Sequence, residues 1–78
     1  GYSRMTRLRR MNADEVERIL RKYEFELISQ KGSHRKWRSK DQDNPVIVPS
    51  HRGRDLPTGT LRNIMITGMI PEKEWKSP

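Results

Sequence analysis

Phe25-Glu26-Leu27-Ile28-Ser29-Gln30, then Lys31-Gly32-Ser33, then His34-Arg35-Lys36-Trp37-Arg38 is the stretch that decides the fold. Its first part predicts a strand. Phe25 and Leu27 alternate against Glu26, Ile28 adds a second apolar face, and such side chains suit a pleated surface. Lys31-Gly32-Ser33 reads as a turn or bulge. Alternation then resumes, with Arg35 and Trp37 pointing one way and His34, Lys36 and Arg38 the other. Trp37 is the natural core anchor, so the histidine and its two basic neighbours are expected on the outer face.

Upstream, Asn12 is a good helix N-cap, and Glu15 three residues later completes a capping-box pair. Val16, Ile19, Leu20 and Tyr23 follow at i, i+3, i+4 and i+7, which places them on one helical face. Arg18, Arg21 and Lys22 lie toward the end of that helix, where cations suit the negative pole of its dipole. Downstream, residues 39–45 read as a hairpin loop. Val46-Ile47-Val48 is the best strand former, and Pro49 is expected to stop it. A polar loop over residues 50–57 carries His51, Arg52, Gly53, Arg54 and Asp55. A second helix is expected from Thr58 or Thr60, with Leu61, Ile64 and Met65 facing inward and Gly68 ending it. Pro71 to Trp75 resembles a short helical turn that returns Trp75 to the core.

The predicted order is α-β-β-β-α, an α+β domain whose three antiparallel strands carry helices on one face. Seventy-eight residues make one domain, and only 31% of them are hydrophobic, so the core is expected to be thin. The domain is expected over residues 12–78. Residues 1–11 read as a basic arm, disordered or partly an appended remnant, with Met5 or Met11 as possible native starts.

Charge narrows the function. Seventeen Lys and Arg against ten Asp and Glu give +7. Arg4, Arg7, Arg9 and Arg10 supply +4 of it, leaving +3 for residues 11–78. Residues 29–40 hold Lys31, Arg35, Lys36, Arg38 and Lys40 without an acid. Such a cluster favours a polyanion, most often nucleic acid, although on charge alone a solvated surface fits equally well. The cluster is not set on an amphipathic helix, which weakens a membrane-surface role. No apolar run approaches the roughly 20 residues of a membrane span, and nothing at the N-terminus reads as a signal peptide, so the cytoplasm is the expected compartment. The absence of cysteine removes disulfides and thiolate metal sites. The two histidines, His34 and His51, show no metal-ligand pattern, and no cofactor is expected.

The strand–turn–strand segment around Lys31-Gly32-Ser33-His34 resembles the core motif of the HicA (YcfA-like) toxins. Val46-Ile47-Val48-Pro49 with His51 is similar to that family's third strand and exit loop. Asp55-Leu56-Pro57 with Gly59-Thr60-Leu61 and Ile64 is similar to its second-helix entry. The matches run in order over roughly residues 12–75. The resemblance implies a fold like that of double-stranded-RNA-binding domains and an mRNA endonuclease (mRNA interferase) with His34 as its catalytic residue. It also implies a HicB-type antitoxin partner that masks the active-site face. Two departures stand out: Glu24 occupies the position where the family places a glycine, and Arg35 follows the histidine in place of a small polar residue or a second histidine.

The residues support the same chemistry independently. Cleaving RNA through its 2′-OH needs a base that works near neutral pH, the natural range of histidine. It also needs positive charge on the phosphate, available from Lys36 and Arg38 on the same strand face. Lys31, Gly32 and Ser33 offer a cation, close backbone approach and a hydroxyl. His51, Arg52 and Arg54 are candidate RNA contacts on the following loop. Two alternatives remain open from the sequence: a non-catalytic RNA-binding module, and a protein-interaction module acting only through its partner.

Overall fold

The computed structural model describes residues 8–41 and 43–76. The chain runs α1 (Ala13–Lys22), β1 (Phe25–Lys31), β2 (His34–Ser39), β3 (Val46–Pro49), α2 (Thr58–Gly68) and a 3₁₀ turn (Glu72–Glu74). The strands form one open antiparallel sheet in the order β1-β2-β3. This is the α-β-β-β-α architecture expected from the periodicities.

Helix α1 begins where the capping residues place it. The Asn12 side chain accepts the Glu15 amide at 2.9 Å, and the Glu15 carboxylate accepts the Asn12 amide at 2.9 Å. Two amides that the helix leaves without partners are thereby satisfied reciprocally. Val16, Ile19 and Leu20 then pack against Phe25, Trp37, Val46 and Val48 from the inner sheet face. Leu61 and Ile64 of α2, with Ile70 and Trp75, complete the core, so both helices cover one face and the other stays open.

Glu24 ends the α1 connection with φ 65, a left-handed conformation that favours glycine. Glycine is the residue that the resembled family places here. At the end of α2 the left-handed residue is Met69, φ 54, and not Gly68. Gly68 is the last helical residue, and glycine suits it for a packing reason: a Cβ there would meet Ile70 at 3.3 Å and Phe25 at 3.4 Å. The strand limits also shift slightly. β1 runs one residue further than expected, and Pro49 closes β3 as its last paired residue, opposite His34. Proline is tolerated there because β3 is an edge strand.

The packed unit reaches further upstream than residue 12. Leu8 bridges to Lys76, and the Arg9 amide donates to the Trp75 carbonyl at 2.8 Å. Met11 is fully buried, and its carbonyl accepts the Leu56 amide at 2.8 Å. The expected boundary of the basic arm at residue 11 is therefore corrected: residues 8–11 belong to the folded domain because Met11 fills its core. The remainder of that expected arm, residues 1–7, lies outside the described residues.

Candidate functional site

The decisive local feature is a bulge in β1. Leu27 pairs with Trp37 but Ser29 pairs with Lys36, so Ile28 is the extra residue between them. A bulge of this kind reverses the phase of alternation beyond it. Simple alternation from Phe25 would put residues 27, 29 and 31 on the core side. Ser29 and Lys31 instead lie opposite Lys36 and His34, on the outer face. Gln30 turns to the other side, where its Oε1 accepts from Arg35 Nη1 at 2.9 Å. Leu27 keeps the core side yet remains 39% exposed, so it anchors less than the alternation suggested.

The outer face consequently carries two cross-strand rows. Lys31, His34 and Pro49 form the first, and Ser29, Lys36 and Ile47 the second. Adjacent strands lie about 4.8 Å apart, and rows two residues apart are separated by about 6.7 Å. Ser29, Lys31, His34, Lys36 and Ile47 line one open depression of about 420 Å³. His34 is exposed there, and among the described residues no hydrogen bond to its ring is present.

Gly32 and Ser33 form the two-residue turn that joins β1 to β2. Gly32 has φ 59, as the first position of such a hairpin requires. A Cβ at Gly32 would meet nothing within 4 Å, so its surroundings are open to a ligand. The Ser33 carbonyl accepts the Ser50 amide at 2.6 Å and ties the turn to the loop after β3.

Arg38 stands on the same face but outside the His34 depression. It shares a separate one with Glu26, Ile28, Ser39, Lys40 and Asp43. Glu26 is its cross-strand partner and also lies 3.8 Å from Lys40, so acid offsets part of the positive field at that end. His51 and Arg52 line a third depression at the start of α1, with Asn12, Asp14 and Gly53. Arg54 lies in a fourth with His51, Pro49 and Thr60. The structure therefore brings Lys31, His34 and Lys36 together and does not bring His51, Arg52 or Arg54 into that depression.

Beneath His34, strand β2 is fastened to α1 by a buried carboxylate. Glu17 accepts from Arg35 Nε at 2.6 Å and from Trp37 Nε1 at 2.8 Å. Arg35 and Arg21 both approach the Trp37 ring, at 5.9 and 5.0 Å from its centroid. Arg35 thus faces the core side and holds the strand that presents His34 and Lys36 on the other. The residue that departs from the resembled motif is a structural tether.

Ser29 and Ile47 join the site although sequence reasoning did not single them out. Alternation of Ile47 against Val46 and Val48 was a sufficient signal for the isoleucine. Ser29 had none, because its facing depends on the bulge. Among the described residues, no group of three or more His, Asp or Glu side chains is placed to hold a metal ion. Among the described residues, no helix is long and apolar enough to cross a membrane.

The sequence profile of the family described as HicA toxin of bacterial toxin-antitoxin matches residues 13–68. That span runs from the start of α1 to the end of α2 and contains the whole sheet. No curated protein and no solved structure matches the chain.

Proposed function

The chain belongs to the HicA toxin family of bacterial toxin–antitoxin systems, and from that premise and the His34 depression we propose that it is an mRNA interferase, a metal-independent endoribonuclease with His34 as the catalytic residue. The carrying observation is the juxtaposition of an exposed histidine with Lys31 in its own row and Lys36 in the next. In this reading His34 accepts the proton of a ribose 2′-OH. The freed oxygen attacks the adjacent phosphorus, forms a 2′,3′-cyclic phosphate and expels the 5′-oxygen, which takes a proton from a lysine ammonium or from water. Lys31 and Lys36 hold the phosphate and stabilise the charge that builds on its oxygens. Gly32 and Ser33 border the phosphate from the turn. Arg38, His51, Arg52 and Arg54, outside the depression, bind the RNA to either side. The work is proposed to take place in the cytoplasm, where mRNA is found.

An antitoxin partner follows from the family. We infer that it is of the HicB type and presents acidic or RNA-like groups over His34 and Lys36, an arrangement that speeds association and blocks substrate together. A crosslinking map of the complex placing the partner on the outer sheet face is the expected result. Contacts confined to the 3₁₀ turn, with His34 left open, count against masking.

The catalytic assignment is tested with His34→Ala. An exposed side chain contributes little to burial, so the melting temperature should barely change. Cleavage should fall by at least about 10²–10⁴-fold, with RNA binding retained. Activity should persist in EDTA, substrates lacking the 2′-OH at the scissile position should resist cutting, and His51→Ala should have a smaller effect. Full cleavage by His34→Ala protein, free of other nucleases, overturns the assignment. RNA binding without cleavage is the second reading. One observation favours it: a histidine base usually has a partner that orients its ring, and His34 has none among the described residues.

A further inference from the structure

Ile47 is 42% exposed on the outer sheet face, while Val46 and Val48 beside it are buried. It sits in the His34 depression, at the end of the row that begins with Ser29 and passes through Lys36. An apolar side chain framed by two lysines and a histidine is an unusual floor for a site that only gathers phosphate. Phosphate needs cations and donors and gains nothing from an isoleucine.

The chemistry of RNA cleavage supplies a use for it. Attack by a 2′-oxygen on the neighbouring phosphorus requires that oxygen to line up opposite the departing 5′-oxygen. A nucleotide stacked in an A-form helix does not hold that alignment, so the reacting nucleotide must leave the stack. Single-stranded RNA is read in this manner, with unstacked bases packed on flat rings or guanidinium planes and their edges hydrogen-bonded; an exposed isoleucine offers an apolar surface on which a base face can lie. The depression, at about 420 Å³, has room for one nucleotide.

We propose that Ile47 and Ser29 form a nucleotide subsite, in which Ile47 packs against the base of the unstacked nucleotide and Ser29 hydrogen-bonds its edge. The inference rests on the RNA-cleavage reading and adds to it two residues and a substrate form: a single-stranded, locally splayed RNA. The row geometry orients the ligand, with the phosphate toward Lys31 and Lys36 and the base over Ile47. Ser29 is available for this role because the β1 bulge turns it outward. Its hydroxyl both donates and accepts, so it tolerates more than one base while preferring some.

The test uses the full chain and a short single-stranded RNA whose cleaved bond has been mapped with the wild-type protein. A second RNA is identical but abasic at the nucleotide that provides the 2′-oxygen. Affinity for both is measured in the His34→Ala protein, with and without Ile47→Ala. Removing Ile47 should weaken binding of the intact RNA by about fivefold, no more than the low end of the range for a base stacked on an aromatic ring. It should leave binding of the abasic RNA nearly unchanged. Ile47→Thr, which keeps the β-branch and hence the strand, should behave like Ile47→Ala, whereas Ile47→Val should retain most of the affinity. Ser29→Ala should alter the relative affinity for different bases at that position. Pairing the same nucleotide with a complementary strand should abolish the Ile47 dependence. Equal losses on intact and abasic RNA overturn the subsite even if wild-type protein cuts RNA. If wild-type protein leaves the RNA intact, the abasic position is moved along the strand one nucleotide at a time; an Ile47-dependent loss at one position then supports the subsite, while the absence of cutting overturns the catalytic reading.

Discussion

Glu24, at φ 65, shows what a single residue costs when the chain needs a left-handed turn. A side chain there is strained by the contact between Cβ and the carbonyl oxygen. Glu24→Gly should therefore raise stability by about 1 kcal/mol in urea denaturation, after the greater freedom of glycine in the unfolded chain is offset. A neutral or destabilising result would mean that the Glu24 side chain has a compensating contact. Glu17 presents the opposite case. Its carboxylate is buried and accepts from both Arg35 Nε and Trp37 Nε1, two hydrogen bonds that are lost together if it is removed. Glu17→Ala should cost about 2–3 kcal/mol, more than a surface ion pair would, because the partly buried Arg35 Nε–H and the Trp37 indole N–H are left without an acceptor. A loss below about 0.5 kcal/mol would show that water replaces the carboxylate freely.

At the level of elements, the link between α1 and the chain's C-terminal turn carries a pH signature. Glu74 accepts from the Tyr23 hydroxyl at 2.6 Å and from Lys22 Nζ at 3.0 Å. The Tyr23 hydrogen bond, and then that of Lys22, hold the Glu74 carboxyl below its ordinary value of 4.5. The same hydrogen bond, with the Glu74 charge, raises the Tyr23 hydroxyl above 10.0. The signs follow from linkage. The stability Glu74 contributes is fully present above 4.5 and disappears as pH falls through its lowered folded value. The contribution of Tyr23 is present below 10.0 and disappears as pH rises through its raised folded value. Tyr23→Phe should flatten the acid limb of a urea-midpoint profile and remove this alkaline contribution. Unchanged profiles would show that the hydrogen bond does not persist in solution. The β1 bulge is the other decision taken at this scale. It gives His34 and Lys36 their neighbours Lys31 and Ser29, and it sends Gln30 to Arg35.

For the molecule as a whole, +7 at pH 7 predicts RNA binding that weakens steeply with salt. Each phosphate neutralised on a single strand contributes about −0.7 to the slope of log K against log salt. Arg9 belongs to the fold, because its amide and guanidinium donate to the Trp75 and Glu74 carbonyls. A clean test of the upstream charges therefore removes residues 1–7 only, taking away Arg4 and Arg7 and lowering the net charge from +7 to +5. If both arginines meet phosphates, the slope should become shallower by about 1.4. An unchanged slope assigns the whole electrostatic contribution to the rest of the chain.

The elements and the outer-face position of His34 were legible in local sequence patterns. Helical and strand periodicities are local, and the Asn12–Glu15 cap lies within one turn. Alternation about the buried Trp37 was enough to send His34, Lys36 and Arg38 to the opposite face from the core. The composition of the depression was decided only in the tertiary structure. Whether β1 holds a bulge depends on which of its backbone groups meet β2, and one extra residue inverts every side chain beyond it. The Glu17–Arg35–Trp37 tether likewise joins residues 18 and 20 positions apart. No local pattern encodes that contact, which exists because α1 packs across the sheet and a buried carboxylate must find donors there.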